Sequence, residues 1–93
     1  MRKYELMVIF PMEEERYNEG RGHLFADLSA GGAEIEKTDE IGERDLAYEI
    51  NKITRGRYVL FTLKASPASI VNFDRAFKLN ANLIRHLFVR IEE

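Results

Sequence analysis

The order of its patterned segments restricts the fold of this chain more than any other feature. Residues 3–10 alternate in the manner of a strand and are apolar on both faces, which predicts a central position in a sheet. Residues 13–30 carry apolar side chains at helical spacing and run into a Gly-Gly pair, so we predict a helix there. Gly20 and Gly22 lie inside that helix, and each disfavours it by about 1 kcal/mol relative to alanine.

The middle of the chain has the pattern of further strands. Residues 33–41 and 46–50 alternate apolar and polar side chains, and Gly42 interrupts them where a bulge or bend would lie. This pattern predicts either one long bent strand or two short strands. Residues 51–56 form a predicted polar turn, and the run of Tyr, Val, Leu and Phe over residues 58–65 predicts the next strand.

A second helix and a last strand complete the order. Ser66 and Pro67 predict a helix start, because the serine oxygen can accept a hydrogen bond from an unpaired backbone N–H and proline already has a helical φ. After a polar turn, residues 84–91 are rich in β-branched and aromatic side chains and predict a strand.

The predicted order is β-α-β-β-α-β, which is the split βαβ or ferredoxin-like arrangement of the α+β class. In it, two helices cover one face of a four-stranded antiparallel sheet and leave the opposite face open. We expect one such domain over residues 1–93, because a chain of this length forms one core. An open sheet face can bind RNA or a protein, so the fold alone leaves both functions possible.

The charges of the chain are nearly balanced but unevenly distributed. With 14 Lys and Arg residues against 16 Asp and Glu residues, the formal net charge is −2, so the whole chain has no general attraction for nucleic acid. Most acids lie within residues 12–49, whereas residues 52–90 hold most of the basic residues and a single acid, Asp74. Any RNA site must therefore be local.

Several functional classes lack the residues that they need. There is no cysteine, which excludes a disulfide framework, a thiolate metal site and a cysteine nucleophile. His23 and His86 have no acids at ligand spacing around them, so we predict no metal and no other cofactor. The longest apolar run, residues 6–10, is too short to cross a membrane.

Three segments resemble a known protein family. Residues 1–5 read Met-Arg-Lys-Tyr-Glu, residues 42–52 read Gly-Glu-Arg-Asp-Leu-Ala-Tyr-Glu-Ile-Asn-Lys, and residues 77–90 read Phe-Lys-Leu-Asn-Ala-Asn-Leu-Ile-Arg-His-Leu-Phe-Val-Arg. In this order, and over nearly the whole chain, they resemble the sixth protein of the bacterial small ribosomal subunit. Glu43 stands where that family usually has a basic residue, and Glu49 where it commonly has proline.

The resemblance implies a ferredoxin-like fold, no catalysis, no small-molecule substrate and a place in the cytoplasmic ribosome. It also implies a role in assembling the central domain of 16S ribosomal RNA, as a heterodimer with the eighteenth small-subunit protein. The residues of this chain that match the family are Arg2, Tyr4, Arg44, Tyr48, Lys52, Lys78, Asn80, Asn82 and Arg85.

The turn before the last strand is the first candidate RNA contact. Lys78, Asn80, Asn82 and Arg85 would offer positive charge and amide donors to a phosphate and a base edge. The same residue types also suit an ordinary solvated turn, which is the alternative. The complete set of predicted RNA-binding residues is Arg2, Tyr4, Arg44, Lys52, Arg55, Arg57, Lys78, Asn80, Asn82 and Arg85.

A second basic group and two tyrosines are further candidates. Lys52, Arg55 and Arg57 surround a predicted turn, where their side chains could reach phosphates, although a solvated hairpin would select the same residues. Tyr4 and Tyr58 could stack on an unpaired base, but packing within the protein is the favoured interpretation for both.

Two other functions compete with RNA binding. The first is a protein-only interaction or regulatory module that dimerises through the open sheet. The second is a small hydrolase of the same topology, for which the chain offers no recognisable nucleophile, base or phosphate-binding glycine loop.

Overall fold

The structure, a computed structural model, describes residues 1–91 and has the predicted element order. The strands pair in the order β2-β3-β1-β4, and all three pairings are antiparallel. The apolar first strand is therefore central, and the ferredoxin-like prediction is confirmed. The elements are β1 (Arg2–Phe10), α1 (Glu14–Ala30), β2 (Glu34–Ile50), β3 (Ile53–Ala65), α2 (Pro67–Lys78) and β4 (Arg85–Arg90).

The hydrophobic core lies between the sheet and the two helices. Leu6 and Phe10 of β1, Phe61 of β3 and Leu24 of α1 are all 0% exposed. Alternate residues of the strands therefore face the helices, and the residues between them face outward. The outward face is open: its side chains on β4 include Leu87 and Val89, which are 61% and 48% exposed.

The hairpin of β2 and β3 is longer than the sequence predicts. Only Asn51 and Lys52 form its turn, with φ of 48° and 66°, and β3 already begins at Ile53. The predicted turn over residues 51–56 is wrong for 53–56, because these residues belong to β3, and Ile53, Arg55 and Gly56 pair with β2 beyond the end of β1. Gly42 lies at a register shift with φ of 97°, so the predicted bulge is confirmed within one long strand.

The start of α2 follows the local signals. The Ser66 Oγ accepts a hydrogen bond from the Ala68 backbone N–H at 3.3 Å, and Pro67 occupies the first helical position. Neither helix in residues 1–91 has the length and apolar content that a membrane span requires.

Candidate nucleic-acid interface

Most of the predicted RNA contacts meet at one end of the sheet, the end at which β1 finishes. There Phe10 pairs with Arg57 and Ile9 pairs with Arg85, and the β2–β3 hairpin continues past them. α2 also ends here, because Lys78 directly precedes the turn into β4. We call this surface the basic end, and its predicted RNA-binding residues are Arg44, Lys52, Arg55, Arg57, Lys78, Asn80, Asn82 and Arg85.

Two predicted residues lie elsewhere. Arg2 is exposed at the opposite end of β1, where it pairs with Ala65. Tyr4 is only 8% exposed and packs edge-on against Phe88, with ring centroids 6.2 Å apart. Its ring therefore has no exposed face on which a base could stack, and we leave Tyr4 out of the proposed interface.

The two asparagines of the basic end are bonded within the protein. The Asn80 Nδ2 donates to the Gly20 carbonyl at 3.1 Å, and the Asn80 Oδ1 accepts from the Asn82 backbone N–H at 3.0 Å. The Asn82 Oδ1 accepts from the Arg16 Nε at 3.0 Å, and its Nδ2 donates to Glu19 at 3.2 Å. These amides hold the turn before β4 against α1. The two asparagine side chains therefore shape the basic end and do not project from it.

Gly20 is the residue that allows this close approach. A Cβ added at Gly20 would overlap the backbone carbonyl of Asn82, whereas a Cβ at Gly22 would meet no atom within 4 Å. The low helix propensity of Gly20 therefore has a tertiary reason, because the turn before β4 lies directly on the α1 backbone.

Arg57 also contacts the protein itself. It lies on the helix side of the sheet, with its guanidinium carbon 3.7 Å from the centroid of the Tyr17 ring. The Tyr17 hydroxyl donates to the Glu40 carboxylate at 3.0 Å, and Arg21 donates to both groups. Arg57 therefore belongs to a polar cluster that joins α1 to β2 and β3.

Hydrogen bonds and burial within this cluster shift the pKa values of Glu40 and Tyr17. Hydrogen bonds from Arg21 and then Tyr17 stabilise the charged carboxylate and lower the pKa of Glu40. Burial and the bond to Glu40 raise the pKa of Tyr17.

We expect Glu40→Gln to make stability less dependent on pH. A carboxylate with a lowered folded pKa contributes fully above its unfolded pKa of about 4.3, and the contribution is lost as pH falls through the folded pKa. The variant should therefore be less stable than the wild type at about pH 7, and the two urea midpoints should converge as pH falls below about 4.3 and through the folded pKa.

Glu49→Gln is the matched control, because it makes the same charge change on β2. The Glu49 side chain forms no hydrogen bond or ion pair within residues 1–91. We expect the urea midpoint of Glu49→Gln to stay close to that of the wild type. A Glu40→Gln deficit of constant size at every pH would contradict the assignment.

Four cations of the basic end remain available to a ligand. Arg44, Lys52, Lys78 and Arg85 are exposed, and none of them forms a salt bridge within residues 1–91. Arg55 pairs with Asp45 at 3.6 Å, but both side chains are more than half exposed, so the pair is weak.

Negative charge restricts the side from which RNA can approach. Glu13, Glu14 and Glu15 are exposed at the start of α1, directly after the end of β1 and in the helix layer. They would repel a phosphate backbone that came from that side. Arg85 and the hairpin are accessible from the open face of the sheet, which is the favourable direction.

His86 has a structural environment. Its Nε2 lies 2.8 Å from the Asp74 Oδ1, and its ring packs edge-on against Phe77 and Phe88. This contact joins β4 to α2. Within residues 1–91, no group of three or more His, Asp or Glu side chains is arranged to hold a metal ion.

Comparison with known proteins gives the family. The model of the family described as ribosomal protein S6 matches residues 3–90. The chain belongs to the ribosomal protein S6 family. Two relatives named small ribosomal subunit protein bS6 match over their whole length and over the whole of this chain. The one from Treponema denticola is 47% identical over 93 residues, and the one from Halalkalibacterium halodurans is 48% identical over 95 residues.

A solved structure supports the fold of this S6 family member. The crystal structure of 30S ribosomal protein S6 from Thermotoga maritima has a TM-score of 0.86 and covers 97% of this chain and 87% of its own. Its 22% sequence identity makes it an argument about the fold alone. Family membership makes the chain a structural protein of the bacterial small ribosomal subunit, located in the cytoplasm with the ribosome, and not an enzyme.

Sequence reasoning left one residue of this end out of the predicted site. Tyr48 matches the family, and this residue is 60% exposed, with its ring beside Arg85. An alternating strand pattern could not show this exposure, because it results from an irregularity in the pairing of β2 with β3.

Proposed function

We propose that this S6 family member binds the central domain of 16S ribosomal RNA together with the eighteenth small-subunit protein. The observation that carries the proposal is the convergence of Arg44, Lys52, Lys78 and Arg85, all exposed and without ion pairs in residues 1–91, at one end of a chain with a net charge of −2. Such a local group of cations suits phosphates, since the chain as a whole does not attract RNA.

The charge of the rest of the molecule supports the need for a partner. β2 is an edge strand, and exposed acids recur along it, including Glu34, Glu43 and Glu49. These acids lower the affinity that a few phosphate contacts can give alone. A basic partner protein would neutralise them and add its own phosphate contacts, so we expect RNA binding to depend on that partner.

The open sheet favours one competing function. Leu87 and Val89 are well exposed on it beside Met7, as a surface that dimerises would be. Gel filtration separates the two: a tight homodimer without RNA affinity indicates action through protein contacts alone, and a monomer that needs a different chain supports RNA binding together with the eighteenth small-subunit protein.

The direct test is a titration of a 16S central-domain fragment with this protein, with and without the eighteenth small-subunit protein, at two salt concentrations. We expect tight, salt-sensitive binding when both proteins are present and much weaker binding of this chain alone. No binding under either condition would refute the proposal.

The same assay tests the basic end. We expect Lys78→Ala with Arg85→Ala to weaken binding at least about tenfold, since a charge-assisted hydrogen bond contributes about 1.5–3 kcal/mol. Loss of two phosphate contacts should also reduce the slope of log K against log salt by roughly 1.5–2. The matched control is Lys37→Ala with Arg90→Ala, which removes the same two charges from exposed positions away from the basic end. Equal effects of the two double variants would contradict this assignment.

A further inference from the structure

The tip of the β2–β3 hairpin bends over the open face of the sheet. Asp45 pairs with Arg55, and Ile50 pairs with Ile53, so residues 46–49 of β2 stand opposite Thr54 alone. A strand with this many extra residues must curl away from its partner. The curl brings Tyr48 to Arg85, although the two residues belong to strands on opposite edges of the sheet.

Tyr48 and Arg85 form an exposed pair. The Arg85 Nη1 donates to the Tyr48 hydroxyl, and the guanidinium carbon lies 5.6 Å from the centroid of the ring. Tyr48 is 60% exposed as a residue, whereas Tyr4 and Tyr17 are 8% and 7% exposed. Arg85 has five N–H donors, and the bond to Tyr48 uses only one of its nitrogens.

An apolar depression lies beside the pair. Its walls are Ile9, Leu46, Ile50 and Tyr58, together with Tyr48 and Arg85. The depression offers a flat aromatic ring, an apolar floor and a guanidinium group within one small area. This combination suits a ligand that has a planar face at one end and a negative charge at the other.

We propose that Tyr48 and Arg85 together bind one unpaired nucleotide of RNA. The base stacks on the exposed part of the Tyr48 ring, and the phosphate accepts hydrogen bonds from the remaining Arg85 donors. The proposal rests on the proposed function and deepens it, because it assigns an unpaired nucleotide, rather than a regular duplex, to this part of the basic end.

The neighbouring charges favour RNA over a peptide as the occupant. Arg44 and Lys52 lie on the same hairpin as Tyr48 and are exposed cations without ion pairs in residues 1–91. Of the acids in residues 43–57 of the same hairpin, Asp45 pairs weakly with Arg55, and Glu43 and Glu49 are exposed; the cations Arg44, Lys52, Arg55 and Arg57 outnumber these acids by four to three. A strand of RNA that leaves the stacked base therefore meets further positive charge along the hairpin.

The test compares three variants with the wild type in the titration with the 16S central-domain fragment and the partner protein. Tyr48→Leu removes the ring and no charge, so we expect affinity to fall roughly ten- to a hundredfold with an unchanged salt slope. Arg85→Leu removes the charge and should reduce both affinity and slope. Tyr48→Phe keeps the ring and loses only the bond to Arg85, so we expect it to bind within about threefold of the wild type, as an aromatic face is what stacking needs.

A direct signal comes from Tyr48→Trp, because the chain has no other tryptophan. We expect the tryptophan fluorescence to be quenched when a short single-stranded RNA is added to the protein complex, and we expect less quenching with a fully duplex RNA. Thermal unfolding of each variant checks that the fold is retained.

The outcomes separate this inference from the proposed function. If Tyr48→Leu binds RNA as tightly as the wild type does, the nucleotide site is refuted and the RNA-binding role stays in place. If Tyr48→Phe is as weak as Tyr48→Leu, or if Tyr48→Leu lowers the salt slope, Tyr48 only positions Arg85 and the stacking site is refuted. If Tyr48→Leu weakens binding to the partner protein but not to RNA, the nucleotide site is also refuted, because the depression then binds protein. Failure of the wild type to bind RNA at all refutes both proposals.

Discussion

Replacing Gly20 with alanine is expected to destabilise the protein by about 1–3 kcal/mol, whereas replacing Gly22 with alanine is expected to stabilise it by up to about 1 kcal/mol. Both glycines lie inside α1, so both variants gain the same helix propensity. Only at Gly20 does the new Cβ overlap the Asn82 carbonyl. The difference between the variants therefore measures the contact between α1 and the turn before β4.

Urea unfolding of both variants at neutral pH tests this expectation, with equal m-values as the check that the unfolded states are comparable. Two stabilised variants would show that the turn moves away from α1 at little cost. The Gly20 variant also has a functional consequence: because the displaced turn lies between Lys78 and Arg85, we expect weaker binding to the 16S fragment even under conditions in which the variant is folded.

The parts of the fold that sequence predicts well are those with local causes. Ser66 and Pro67 start α2 because a cap and a fixed φ act within one turn of helix. Gly42 marks the bulge because a positive φ favours glycine. Sequence predicts too late a start for β3 because Ile53 is the only apolar side chain in residues 53–56, whose strand character comes from pairing with β2.

The candidate site is less predictable because its residue types serve two purposes. Asn80 and Asn82 have the donors and acceptors that RNA recognition uses, and the structure directs them to α1 instead. Arg57 is as basic as Arg85, but strand alternation places it on the helix side, over Tyr17. Sequence gives the chemistry of these side chains, whereas the face on which each lies depends on pairing between distant strands.

The aromatic contacts between α2 and β4 lead to the second large expected effect. Phe77 is 1% exposed and stacks on Phe73 and Phe88, each at a centroid distance of 5.9 Å, with the His86 ring edge-on at 5.2 Å. Phe77→Ala would leave a cavity among these rings, and a substitution of this kind costs about 3–5 kcal/mol.

That loss is a large part of the stability of a small domain, which is about 5–15 kcal/mol, so the Phe77→Ala variant should unfold at a much lower urea concentration than the wild type. Phe77→Leu keeps part of the volume and should lose less, which gives a measurable point if the alanine variant does not fold. Val71→Ala is the control on the same helix: the Val71 side chain is 60% exposed, and we expect a change within about 0.5 kcal/mol. If Phe77→Ala and Val71→Ala unfold at similar urea concentrations, the rings do not form the tight contact between α2 and β4. The turn that carries Asn80 and Asn82 would then be held by its hydrogen bonds to α1 alone.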